Sequence, residues 1–148
     1  MREICLASHG RYAEGIISAL SLLVGDESAI HCLCAYCGDI ASTAELHERL
    51  RLLARESEAR GNELVIFTDL QGGSVNNTAM QLLADYSHLH VVSGANLIML
   101  MAFCLSELND TGERIREAIV SATEAMQYSH QLPPAADAED FFSVRPPL

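Results

Sequence analysis

ELVIFTDLQGGSVNN, residues 63–77, passes from an apolar run to a glycine turn to the start of a helical pattern. Leu64, Val65, Ile66 and Phe67 are consecutive apolar residues with no polar alternation. A strand covered on both faces has this form, because neither side of its pleat meets water. The spacing predicts a buried strand over 63–69, ending in Asp69, followed by Gly72, Gly73 and Ser74. A second stretch, EICLASHGRYAEG, residues 3–15, repeats the form. Its apolar run ends at Ser8-His9-Gly10 before another helical pattern.

The same alternation continues outward from these two junctions. Ala13, Ile16, Ile17, Leu20 and Leu23 recur at helical spacing, which predicts a helix over 12–24, closed by Gly25-Asp26. Residues 29–36 read as a strand. Ser42-Thr43-x-Glu45 carries N-cap chemistry, Leu46, Leu50, Leu53 and Ala54 continue the apolar face, and Gly61-Asn62 ends the helix. Residues 75–85 read as a helix, 88–93 as a strand, and 96–105 and 110–127 as helices. The order βαβαβαβα with short connections predicts an α/β fold. Its sheet is expected to be open, doubly wound and mostly parallel, with four or five strands and helices on both faces. One domain is expected over 1–128. Residues 129–148 hold all four prolines, an acidic patch Asp137-Ala138-Glu139-Asp140, and Phe141-Phe142. They read as a Pro-rich tail or a dimer-exchanged arm.

The chain of 148 residues is long enough for one real core, and 49% hydrophobic residues exclude a disordered chain. No apolar run reaches the roughly 18 residues that a membrane span needs. The apolar pattern begins at once after Met1, so a cytoplasmic location is expected. Twenty acidic against nine basic residues give a formal charge of −11. Nucleic acid is therefore a poor partner, since phosphate neutralisation needs clustered Lys and Arg. The five cysteines are an odd count, which argues against a disulfide framework.

Ligands of doubly wound sheets bind beyond the carboxyl ends of the strands. His9 and Asp69 both fall on that edge. A carboxylate accepting a hydrogen bond from one ring nitrogen would fix the tautomer and leave the other nitrogen as a nucleophile. Gly72 and Gly73 allow close backbone approach, and the helix beginning near Ser74 offers free N–H groups to an anion. Imidazole, carboxylate and anion cradle together fit phosphoryl transfer onto histidine, which needs positioning and charge stabilisation. No cofactor and no metal are expected.

Other residues carry blander readings. His31, Cys32, Cys34 and Cys37 invite a zinc site, but only one CxxC pair is present, and cysteine as a small buried hydrophobe is the default. Met99, Leu100 and Met101 read as core. His47, His88, His90 and His130 read as surface residues, Glu14 as solvated, and Asn96 as a helix N-cap.

Three motifs then stand in register. Ser8-His9-Gly10 is followed by Ala13-Glu14-Gly15; Thr68-Asp69-Leu70 runs to Gly72-Gly73-Ser74; and Gly94 is followed by Asn96, Leu97, Met99 and Leu100. Over about residues 2–127 the sequence resembles the mannose-type IIA component of the bacterial sugar phosphotransferase system. The resemblance implies a phosphocarrier that takes a phosphoryl group on His9 from the histidine phosphocarrier protein and passes it to a IIB component during sugar uptake. It implies Asp69 as the partner of His9, and Gly72, Gly73 and Ser74 as phosphate-binding residues. It also implies a homodimer, reaching the membrane only through the permease complex.

Gln71 stands where the family often has Phe, and Val75-Asn76-Asn77 where it often has Pro-Phe-Asn. These departures predict a more polar rim around the site. That rim favours an alternative reading, a regulatory module of the same fold whose His9 phosphorylation state controls a partner without sugar transport.

Overall fold

Leu64, Val65, Ile66 and Phe67 are all fully buried, and they divide between two cores. In the computed structural model, which describes residues 1–25 and 29–131, they lie in the strand Glu63–Thr68. Four strands form one sheet: β1 (Arg2–His9), β2 (His31–Ala35), β3 (Glu63–Thr68) and β4 (Leu89–Val92). Their order is β2-β1-β3-β4, and every pair is parallel. The sheet is thus the expected α/β type, with four strands.

Five α-helices flank it: α1 (Tyr12–Val24), α2 (Thr43–Ala59), α3 (Ser74–Gln81), α4 (Leu97–Leu105) and α5 (Thr111–Ala125). Period-two alternation sends Leu6, Val65, Phe67 and Val92 into one core with α1, α4 and α5. Cys5, Ala7, Leu33, Leu64, Ile66 and Leu89 enter the other, under α2 and α3. The apolar helix α4 supplies Met99, Leu100, Met101 and Phe103 to the first core, and Phe103 meets Phe67 edge-on at 5.2 Å between centroids.

Local chemistry sets the ends. Asn96 caps α4 by accepting the Met99 N–H at 3.0 Å, as its sequence position implies. Ser42 caps α2 through the Glu45 N–H at 3.2 Å. Gly61, with φ +71°, closes that helix in the left-handed conformation. The helix expected over 75–85 instead runs Ser74–Gln81 and tightens into a 3-10 turn at Leu82–Ala84. The strand expected over 29–36 is shorter, because Tyr36 turns out of it at φ +64°.

Some surface readings change. His88 is not a surface residue: its side chain is 14% exposed and its Nε2 bonds Ser57 Oγ at 2.9 Å. His90 is half-buried and bonds Glu63 at 3.0 Å. The segment expected as a tail starts with a 3-10 turn, Ser129–Gln131, and the rest of it, with Phe141 and Phe142, lies outside the described residues. Among the described residues, no helix is long and apolar enough to cross a membrane.

Candidate functional site

The strand order fixes where a ligand crevice opens. From β1 the chain goes outward to β2 at one edge, then returns across β1 to β3 on its other side. The reversal places the switch point between the carboxyl ends of β1 and β3. His9 is the last residue of β1, and Asp69 follows the last residue of β3. Each junction is built to hold that residue still.

At the first junction Ser8 is buried and its Oγ accepts the Ala13 N–H at 2.8 Å. The residue before His9 therefore pins the first turn of the helix after it. Gly10, at φ +54°, makes the sharp turn between them, and its N–H donates to Ala35 O at 2.8 Å.

Asp69 Oδ2 then takes two donors from one residue. The His9 backbone N–H lies at 2.7 Å and ring Nδ1 at 2.8 Å. Oδ1 accepts the Leu70 N–H at 3.0 Å. Burial pushes the Asp69 pKa up, but the backbone and ring donors of His9 outweigh it, and the carboxyl titrates below its ordinary value. An ionised carboxylate only accepts, so Nδ1 carries the proton of the neutral ring. The lone pair is left on Nε2. Asp69 is 9% exposed and His9 40%, so the carboxylate is sheltered while the ring reaches solvent.

The second junction faces that lone pair. Ser74 Oγ lies 3.3 Å from His9 Nε2. Ser74 opens α3, and its N-cap residue, Gly73, supplies no capping side chain. The first-turn N–H groups at the positive end of the helix are therefore left without a capping side chain, at the end where Ser74 meets His9. Gly73 leaves room: a Cβ there would press on Leu70 Cβ at 3.2 Å, Leu70 O at 3.3 Å and His9 Cε1 at 3.4 Å, so these neighbours would have to yield by a few tenths of an ångström. Gly72 makes a left-handed turn that favours glycine, with φ +78°. The Gly73 N–H closes the turn onto Leu70 O at 3.1 Å, so it is already engaged within the loop.

Beneath the loop runs a buried polar brace. Asn76 Nδ2 donates to Thr68 Oγ1 at 2.8 Å, and that hydroxyl donates to Val92 O at 3.1 Å. The Ala95 N–H donates to Thr68 O at 2.9 Å. These bonds tie α3 to the ends of β3 and β4. Val75 and Asn76 are 0% and 4% exposed, so they form no polar rim. The exposed apolar groups at this edge include Tyr12, Tyr36 and Leu70. Gln71 and Asn77 are exposed, so the polar rim is smaller than expected and rests on these two residues.

His9, Asp69, Gly72, Gly73 and Ser74 thus come together as the sequence predicts. Tyr36, Thr43 and Asn76 complete the surroundings and were not foreseen. The available signal was that the end of β2 lies on the same sheet edge. Cys32 and Cys34 do share a face, with sulfurs 3.9 Å apart, but Cys32 is exposed and Cys34 and Cys37 are half-buried. The buried-hydrophobe reading therefore does not hold for these three, whereas Cys5 on β1 is buried. Among the described residues, no group of three His, Cys, Asp or Glu side chains could hold a metal ion.

A histidine–carboxylate pair thus sits at the switch point of a parallel α/β sheet. The family of the fructose IIA component of the phosphotransferase system (PTS) matches residues 3–120, and the chain belongs to that family. It is similar to the mannose-specific EIIAB component of the PTS from Escherichia coli K12, with 25% identity over 107 residues. That match covers 72% of this chain and 32% of the relative, so the chain spans about a third of the curated protein's length. A Klebsiella pneumoniae structure assigned to the phosphoenolpyruvate-dependent sugar PTS as a permease shares 34% identity, with a TM-score of 0.77 over 88% of this chain and 92% of that one. The mannose/sorbose-specific IIA subunit from Enterococcus faecalis has the same fold, with a TM-score of 0.78 and 24% identity over 91% and 98% of the two chains.

Proposed function

We propose that the protein is a phosphocarrier of the mannose-type IIA class, acting in the cytoplasm, with His9 as the residue that carries the phosphoryl group. The observation that supports this reading is the double hold of Asp69 Oδ2 on His9, which leaves the Nε2 lone pair facing Ser74 and the start of α3. The donor is the phosphohistidine of the histidine phosphocarrier protein. His9 Nε2 attacks its phosphorus in line; the new P–N bond forms as the donor's P–N bond breaks. The Nδ1 proton stays in place. The phosphorylated ring then bears substituents on both nitrogens and a positive charge, which Asp69 balances. Ser74 Oγ and the first-turn N–H groups of α3 hold the phosphoryl oxygens, with Gly72 and Gly73 giving the room. Attack by a IIB component on the same phosphorus reverses the bond exchange and restores the neutral ring.

Incubation with phosphoenolpyruvate and the general phosphotransferase proteins, followed by intact mass, tests this. One added phosphoryl group, lost in His9→Ala, is the expected result; labelling that survives His9→Ala overturns it. The same reading carries a homodimer, for which light scattering should give twice the chain mass. A clean monomer at micromolar concentration overturns that part.

A further inference from the structure

Tyr36, the residue after β2, is the only non-glycine residue with positive φ among the described residues, at +64°. An aromatic side chain in that region is disfavoured, and it persists only where the surroundings hold it. A tight turn does so here. The Tyr36 N–H donates to Ile40 O at 2.7 Å, Gly38 turns at φ +68°, and Cys37 and Ile40 form an isolated bridge. Ile40 is buried and anchors the turn in the core under α2.

Burial is not what the strain gains, because Tyr36 remains 43% exposed. What it gains is a position. The Tyr36 ring stands over His9, with centroids 5.5 Å apart and planes tilted by 43°. Its hydroxyl lies 2.6 Å from Ser74 Oγ and 3.0 Å from Thr43 Oγ1. The proton directions follow from one end. His9 Nε2 is the acceptor nitrogen of the neutral ring, so the Ser74 O–H donates to it. Ser74 Oγ must then accept from the Tyr36 O–H, and Tyr36 Oη from the Thr43 O–H. Thr43, Tyr36 and Ser74 form a chain of hydroxyls, all donating toward the nucleophilic nitrogen.

We propose that Tyr36 is a positioning residue of the phosphoryl pocket: its hydroxyl donates to Ser74 Oγ and so keeps the Ser74 O–H aimed at the group carried on His9 Nε2. The inference rests on the reading of His9 as the phosphorylated residue. When Nε2 bonds to phosphorus, its lone pair is used and the Ser74 O–H loses its acceptor. Anionic phosphoryl oxygens arrive beside it at that moment. A donor already oriented by Tyr36 need not reorganise to meet them, and donors of that kind contribute most to such transfers. Tyr36 also links two separate loops, since it follows β2 while Ser74 begins α3.

The test uses potassium phosphoramidate, a small P–N donor that takes partner docking out of the measurement. Phosphorus NMR follows the labelling rate and the phosphohistidine signal of the full chain. Wild type is expected to label at His9. Tyr36→Phe keeps the ring and the turn. It should label about tenfold more slowly, the scale of one lost hydrogen bond, with a displaced phosphorus signal. In a Ser74→Ala background the same change should alter the rate less than about twofold, because the two residues act as one unit. If circular dichroism shows Tyr36→Phe unfolded, Thr43→Val takes its place, with an expected slowing of about threefold. A wild-type rate and an unmoved signal in the folded variant overturn the inference and leave the His9 reading standing. An equal slowing with and without Ser74 also overturns it. Failure of wild type to label overturns the His9 reading and this inference with it.

Discussion

Asp69 Oδ2 binds both the backbone N–H of His9, at 2.7 Å, and its ring Nδ1, at 2.8 Å. One oxygen therefore fixes the strand end and the tautomer together. Asp69→Asn keeps the shape but removes the charge that balances a phosphorylated ring. Phosphoryl acceptance should fall by roughly ten- to a thousand-fold, the scale of losing one preorganised electrostatic partner. Single-turnover labelling measures it; a full rate in a folded Asp69→Asn protein would show that the carboxylate is not needed.

Gly73 and Gly72 should separate space from strain. At Gly73 φ is −71°, a conformation any residue adopts, so alanine there costs only room, against Leu70 and the His9 ring. Gly73→Ala should cut labelling about tenfold, since small misplacements at a reacting group are expensive. Gly72, at φ +78°, has open space around it. Gly72→Ala should lower stability by about 1 kcal/mol with a smaller effect on rate. Thermal melts and labelling rates on both variants check the contrast, and identical profiles would contradict it.

Asn76→Ala breaks the brace beneath the loop. It removes the donor to Thr68 Oγ1 inside a buried network. The expected loss is about 1–3 kcal/mol in urea unfolding. A change within about 0.5 kcal/mol would mean that the brace contributes nothing net.

Glu3 should dominate the acid limb of stability. Arg60 grips it through Nε at 2.9 Å and Nη2 at 2.8 Å. That bond, opposed by burial and reinforced by Asn62 and His31, lowers its pKa from 4.5 to about 2. The folded value lies below the unfolded one, so the stabilisation is fully present above 4.5 and fades as pH falls toward 2. Glu3→Gln should flatten the pH dependence of the melting temperature in that window. An unchanged slope would assign the acid limb to other carboxylates.

The central strands and both junctions were legible because burial on two faces writes itself as an unbroken apolar run, as in Leu64–Phe67, and strand ends are punctuated by glycine. Strand order decided the rest. Nothing in the local pattern says that β3 lies beside β1, yet the His9–Asp69 pair depends on it. Side-chain direction was less legible. Asn76 is polar but points into the fold, and the His88 side chain is only 14% exposed where it meets Ser57, because helix packing and register choose those faces. Tyr36 was hidden for a different reason. Its role comes from a left-handed turn that a non-glycine residue gives no reason to expect.

The Ser8–Ala13 bond bears on the timing of the proposed phosphoryl relay. The side chain next to His9 is spent on locking the following helix, and Gly10 is tied to Ala35. Strand, histidine and helix are therefore joined by direct hydrogen bonds on both sides of the turn. On the proposed phosphocarrier reading, transfer should then need no hinge motion at this junction and should be limited by encounter with partners. With a formal charge of −11, those encounters should quicken with basic surfaces and slow as salt is added.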